Sequence, residues 1–248
     1  MIHREDEDLT VGIIGGMGPY ATLAFFQCIL DNTPTQKDWD HLHIIIDNNP
    51  KIPSRTRAFL FDEADPVPMM IESANRLRKA GADFVVLPCN SAHYFLPRVR
   101  EQTDVPFIDM MDETSQAILE KNSKAVGLLG GEVTVKGKLY EQRLEKHGIA
   151  VLQVTDEEQK MVRNVIEDVK QNCVSDATRE NVQTLICRLE ELGADTVILG
   201  CTELPAAMDG VVSKSRIVDS MEVLAKAVVQ KAKLAAATVL PDSGENAL

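Results

Sequence analysis

Two cysteines carry the chemistry that this sequence makes visible. Cys89 lies in LPCNSAHYF and Cys201 in LGCTELPAA. Each follows a short apolar run, and polar residues follow each: Asn90 and Ser91 after the first, Thr202 and Glu203 after the second. A free thiol titrates near pH ~8.5, close enough to neutrality to act as a base when ionised and as an acid when protonated. Both segments read as helix starts, where a thiol pKa is lowered further. Two such groups on opposite sides of one carbon centre could remove a proton from one face and return one to the other, with no cofactor. Taken singly, a cysteine after a strand is a small buried hydrophobe. Cys28, after Phe25 and Phe26, and Cys173 and Cys187 are read that way.

An internal repeat lifts the pair above that reading. VGIIGG at 11–16 matches VGLLGG at 126–131. The stretch around Cys89 (80–97) matches the stretch around Cys201 (192–207), and 106–118 matches 215–228 with Asp109 against Asp219. Three blocks recurring in one order imply two half-domains of one plan.

The elements that must position the thiols follow from the patterning. Continuous apolar runs at 11–14, 43–46, 84–87, 107–108, 125–129, 150–154, 196–199 and 216–218 predict strands buried on both faces of parallel sheets. Between them run helical patterns. One carries Ile71, Ala74 and Leu77 and closes at Gly81. Its repeat carries Val182, Leu185, Ile186 and Leu189 and closes at Gly193, with Asp176 as its N-cap. The fold class is therefore α/β: two similar half-domains, each an open parallel sheet with flanking helices, related by a pseudo-twofold axis. Ligands of such sheets bind at the carboxyl ends of the strands. Cys89 and Cys201 lie at those ends and converge on one ligand if the halves face each other across a cleft.

Three further segments could line that cleft. GGMG at 15–18 is a tight turn that brings Met17 and Gly18 close to a small ligand, and it is neither a dinucleotide fingerprint nor a P-loop. IPSRTR at 52–57 offers Arg55 as a bidentate carboxylate clamp. Lys170 is a second cation, on a helix surface where spacing alone does not single it out. Cys89 and His93 stand four apart, but no second pair accompanies them, so no zinc site is expected. A nucleophile-elbow GxSxG is absent.

Composition narrows the partners. The 248 residues carry a net charge of −12 and only 4% aromatics, which argues against a nucleic-acid partner. No run of 18 apolar residues is present, so no membrane span is expected. The polar start and five cysteines without a CxxC motif lead us to expect reduced thiols in a cytoplasmic protein. Residues 1–9 and 235–248 are read as tails.

The motifs GIIGGMGP, NPKIPSRT, LPCNSAHYF, the D-x-x-D-E-T segment at 109–114 and LGCTEL resemble those of the aspartate/glutamate racemase family, the pyridoxal-phosphate-independent amino-acid racemases. The resemblance spans about 11–230, and the paired cysteine segments are its specific part. It implies a first half of 10–118 plus 219–234, with the final helix packing back on it, and a second half of 119–218. It implies that Cys89 and Cys201 carry protons. Asn90, Ser91, Thr202 and Glu203 would bind the substrate's amino and carboxylate groups, and Arg55 and Lys170 its carboxylates. Asn48, Ser54, Thr56 and Thr134 would complete the pocket. The expected activity is cofactor-independent racemisation of aspartate or glutamate, in a homodimer. One departure stands out: where relatives often read G-T-x-x-T, this chain reads GGEVT, and Glu132 either alters substrate preference or faces solvent.

Other readings share the scaffold. The scaffold also resembles arylmalonate decarboxylases and maleate isomerases; decarboxylases of that type keep one active cysteine, a hydantoin racemase would have less use for Arg55, and a two-lobed binding protein needs no paired thiols.

Overall fold

A computed structural model of the chain describes residues 8–237. In chain order the first half holds β1 (Val11–Gly15), α1 (Pro19–Asp31), β2 (Ile44–Asn48), α2 (Arg55–Phe61), α3 (Val67–Lys79), β3 (Phe84–Val86), α4 (Leu96–Arg100) and α5 (Met110–Glu120). The second holds β4 (Ala125–Gly130), α6 (Glu132–Lys136), α7 (Glu141–Leu144), β5 (Ala150–Gln153), α8 (Asp156–Lys170), α9 (Asp176–Glu191), β6 (Thr196–Gly200) and β7 (Arg216–Asp219). The closing helix, α10, spans Ser220–Ala237. It includes three residues expected in the C-terminal tail; the rest of that tail, 238–248, and residues 1–7 lie outside the described residues.

All strand pairings are parallel, in the orders β2-β1-β3 and β5-β4-β6-β7. This is the α/β architecture of two sheets expected from the repeat. Expectation and structure part at the edges. The central strands β1 and β6 are wholly buried, whereas β2 and β5 are edge strands with exposed residues, so continuous apolarity overstated their burial. The run at 107–108 makes only a single bridge, Phe107 to Val85.

The two helices before the thiol strands end alike. Gly81 (φ +107°) and Gly193 (φ +97°) take the left-handed conformation that a side chain disfavours. The amide of Ala82 bonds the Leu77 carbonyl and that of Ala194 the Leu189 carbonyl, each at 3.0 Å. This is the Schellman closure, and it turns each chain directly into the strand that delivers a cysteine. The start of α9 differs from expectation: its N-cap is Ser175, whose hydroxyl accepts the Thr178 amide in a reciprocal capping box, and Asp176 is the first helical residue.

The halves are joined by a shared core. Val11, Ile13, Phe25 and Ile29 of the first half, Val126, Leu128 and Ile198 of the second, and Leu224, Ala225, Val228 and Ala232 of α10 form one buried cluster. Thus α1, α5 and α10 make a middle layer between the two sheets, with α10 packed on both other helices. The outer face of the first sheet packs on α3, and that of the second on α8 and α9. The Leu9 amide also bonds the Ala232 carbonyl at 3.1 Å. No helix of the described residues is long and apolar enough to cross a membrane.

Candidate active site

β3 and β6 each release a cysteine at the carboxyl end of the sheet. Cys89 stands before a short 3-10 helix, Asn90–Tyr94, and Cys201 before a turn that leads into a second, Leu204–Ala207. Both thiols line one small cavity of about 80 Å³. The first half adds Met17, Ser54, Arg55, Thr56, Asn90 and Ser91 to its wall, and the second adds Lys170, Thr202 and Glu203. Gly18 lies in the wall of an adjoining cavity of about 310 Å³, which shares Met17, Arg55, Lys170, Thr202 and Glu203 with the first. Two expected residues are elsewhere. Asn48 ends the edge strand β2, exposed, and is in neither wall. Thr134 is fully buried in α6 behind the site, and its hydroxyl has no hydrogen-bond partner among the described residues.

The glycine loops explain why the walls meet. A side chain on Gly15 would strike Thr22, and one on Gly16 (φ +87°) would strike the Asn49 backbone, so these two serve the turn itself. The third, Gly18, is open, and its nearest neighbour across the gap is Glu203 Oε1. In the repeat, Gly131 looks at Ser91 Oγ in the same way. Each glycine loop therefore faces the other half's cysteine loop.

The two thiols sit in different fields. Cys201 Sγ donates to Glu203 Oε2 at 2.9 Å. Burial pushes its pKa well above the ordinary thiol value, and the Glu203 carboxylate and its hydrogen bond push it further. The expectation of a lowered thiol therefore fails at Cys201: the helix that follows is one short 3-10 segment, and burial together with the carboxylate outweighs it. Around Cys89 the polar partner is instead a histidine. His93 is buried, and its Nε2 accepts the Met110 amide at 3.1 Å. That leaves the proton on Nδ1, which donates to the Cys89 carbonyl at 2.9 Å. Burial holds the imidazole below its usual pKa, so the ring is neutral and clamps the backbone of Cys89.

The cations are also tied. Arg55 starts α2, which Ser54 caps by accepting the Arg57 amide. Its Nη1 donates to the carbonyls of Ile52 and Pro53, and its Nη2 to that of Met17 at 3.3 Å. Among the described residues, its Nε is buried without an acceptor. Lys170 donates to Glu167 at 2.8 Å. Burial opposes its charge, but the bond to Glu167 and the fields of Glu203 and Cys201 prevail and raise its pKa.

Asn90 lines the cavity, yet its amide is already engaged. Tyr140 Oη donates to its Oδ1 at 2.6 Å, and its Nδ2 donates to Ser220 Oγ at 3.0 Å. Ser220 in turn donates to the Leu199 carbonyl on β6. This buried chain ties the Cys89 loop to the strand that carries Cys201. Each end of the amide is engaged once, so one N–H and one lone pair remain for a ligand beside this structural role. Tyr140 and Ser220 were missed from sequence, as was the clamp of His93, which spacing suggested only as a metal ligand.

Glu132 neither reaches the cavity nor faces solvent. It is buried and paired with Arg163 and with Lys136, the latter at 2.9 Å. Two of the other cysteines also depart from expectation: Cys173, in the link between α8 and α9, and Cys187, on α9, are exposed, and Cys28 is half-buried against the shared core.

Known proteins share this fold. A curated relative, the broad specificity amino-acid racemase RacX of Bacillus subtilis, is 32% identical over 223 residues, which is 88% of this chain and 96% of its own. The Picrophilus torridus aspartate racemase structure superposes with a TM-score of 0.81 at 30% identity, covering 90% of this chain and 94% of that one. An aspartate racemase homologue from Pyrococcus horikoshii gives 0.73 at 25%, covering 90% and 98%. The family model for Asp/Glu/hydantoin racemases matches residues 14–228. With two thiols at repeated strand ends and a match running through both halves, the chain belongs to this family of racemising enzymes.

Proposed function

We propose that the enzyme racemises a small acidic amino acid, aspartate or glutamate, by exchanging the α-proton between Cys89 and Cys201. The observation that carries this reading is the single cavity lined by both thiols together with Arg55 and Lys170. In one direction the first thiol, as thiolate, takes the α-proton; the second, as thiol, delivers its proton to the opposite face. The pair ends with its protonation reversed, and exchange with solvent resets it. The chemistry needs no bound cofactor, because both acid and base are side chains. Lys170 and Arg55, positioned before the reaction begins, receive the side-chain carboxylate of the acidic substrate. Glu203 accepts from the Cys201 thiol and offers that proton a way out.

The proposal takes the halves as 10–118 with 219–234 and 119–218, working as a cytoplasmic homodimer; light scattering on the purified protein checks the dimer. The test of the reaction is incubation with L-aspartate and L-glutamate in D₂O without pyridoxal phosphate. Loss of optical rotation with deuterium entering the α position is expected. Unchanged rotation and no exchange for either acid would defeat the proposal.

A further inference from the structure

The cavity between the thiols is small, and the larger one beside it has a different character. Beyond the five residues the two share, the wall of the 310 Å³ cavity is Gly18, Pro19, Tyr20, Ala21 and Ala24 of the first half, and Val169 and Ala206 of the second. Apart from the tyrosine hydroxyl, these side chains offer no hydrogen-bonding group. Among the described residues, Arg55 gives three N–H groups to backbone carbonyls, and Lys170 is bonded to Glu167. A neutral chain passing between them breaks none of these bonds.

We infer that this second cavity is a side-chain subsite for neutral, unbranched apolar side chains, so that the enzyme also racemises amino acids of the norleucine and methionine type. The inference rests on the two-thiol reading. The α-carbon with its amino and carboxylate groups occupies the space between Cys89 and Cys201. A short acidic side chain ends at the Arg55 and Lys170 junction. A longer neutral one continues past it onto Pro19, Ala24, Val169 and Ala206, where burial of its methylene groups drives binding. An entry passage would be lined in the same way but would treat every substrate alike, and this difference makes the assignment testable.

The experiment measures α-deuterium exchange and racemisation of L-2-aminobutyrate, L-norvaline and L-norleucine beside L-aspartate. It uses the wild type and the variants Ala24→Trp and Ala206→Trp. Both alanines are exposed, so the substitutions fill the cavity with little cost to the fold. A rise in kcat/KM of about tenfold or more per methylene is expected once the chain passes the junction. In both variants norleucine should fall at least tenfold while aspartate holds. A flat series, or aspartate and norleucine falling together in both variants, overturns the inference. Turnover of norleucine but not aspartate upholds it and instead defeats the acidic-substrate proposal. If nothing exchanges, the two-thiol reading has failed, and calorimetry with L-norleucine decides the subsite. Binding lost in Ala206→Trp upholds it, and no binding to the wild type overturns it.

Discussion

The Cys89 and Cys201 loops share one backbone plan and differ in what surrounds the sulfur. Both follow a buried strand that a Schellman-closed helix delivers, and both lead into a short 3-10 helix. Yet Cys89 is held through its carbonyl by a neutral histidine, while Cys201 is held through its thiol by a carboxylate. Asp109 and Asp219, also equivalent by repeat, diverge in the same manner. Asp109 pairs with Arg100 at 3.1 Å and with Arg143 at 3.4 Å. For Asp219 burial dominates, and its carboxyl is pushed up to about 6. Duplication thus preserves geometry, whereas the electrostatic environment is written separately for each copy. On the two-thiol proposal, the repeat places the two proton carriers, and the unlike surroundings give them unequal proton affinities.

The most severe way to break the comparison is to delete either sulfur. Cys89→Ala and Cys201→Ala should each lower racemisation by about 10²-fold to 10⁴-fold or more, followed by circular dichroism of the aspartate enantiomers. Full activity in one variant would show that the loops are not partners.

Glu203→Gln sharpens the contrast. It keeps a hydrogen-bonding group beside Cys201 and removes the charge that, after burial, does most to raise the thiol pKa. The bell of kcat/KM against pH, which belongs to the coupled pair, should move to lower pH. A profile that stays in place would mean that this carboxylate does not set the Cys201 environment.

Tyr140→Phe cuts the tie between the loops. Asn90 Oδ1 loses its buried donor, at a cost of about 1–3 kcal/mol in stability. The slackened Cys89 loop should lower kcat more than it alters KM. Steady-state kinetics with a parallel thermal melt separates this from simple destabilisation: equal losses in Tm without a kcat effect would restrict Tyr140 to the core.

The smallest effects come from the aspartates, and they have opposite signs. Between its ordinary value of 3.8 and about 6, folded Asp219 keeps a proton that the unfolded chain has released, so stability falls as pH rises through that window. Asp219→Asn retains the helix cap and should be more stable at pH 7 by about 1–2 kcal/mol, with the difference gone below pH ~4. For Asp109, burial opposes the charge, but neighbouring His93, the Arg143 and Arg100 guanidinium groups and the Asp112 amide together prevail and hold the pKa below the usual range. Its contribution is present above the ordinary carboxylate value and lost as pH falls through the lowered one. Asp109→Asn should therefore be less stable at pH 7 by roughly 1–2 kcal/mol, between an exposed and a fully buried pair. Melts at pH 4 and pH 7 read both; shifts of the same sign would end the contrast.

What was legible in the sequence is what local chemistry specifies. Apolar runs, Gly81 and Gly193, and the order of the repeated blocks gave the two parallel sheets and the strand ends. What was not legible depends on atoms distant in sequence. Nothing near Tyr140 announces that its hydroxyl reaches Asn90, and Ser220 looks like an ordinary helix start. Glu132 reads as a surface acid until Arg163, a helix away, is placed against it. Asn48 was misjudged because a strand end can face the ligand or the solvent, and the edge position of β2 turns it to solvent. The shared core was hidden too, since two repeated halves are equally compatible with lobes joined by a hinge.

That core also sets the order in which the molecule can be built. Leu224, Ala225, Val228 and Ala232 cover apolar residues of β1 and α1, the first elements to be synthesised. The N-terminal half therefore leaves the ribosome with the apolar surface that α10 covers still bare, and it stays bare until α10 has been translated. A nascent chain stalled before residue 220 presents that surface to solvent, and so to chaperones or to its own kind.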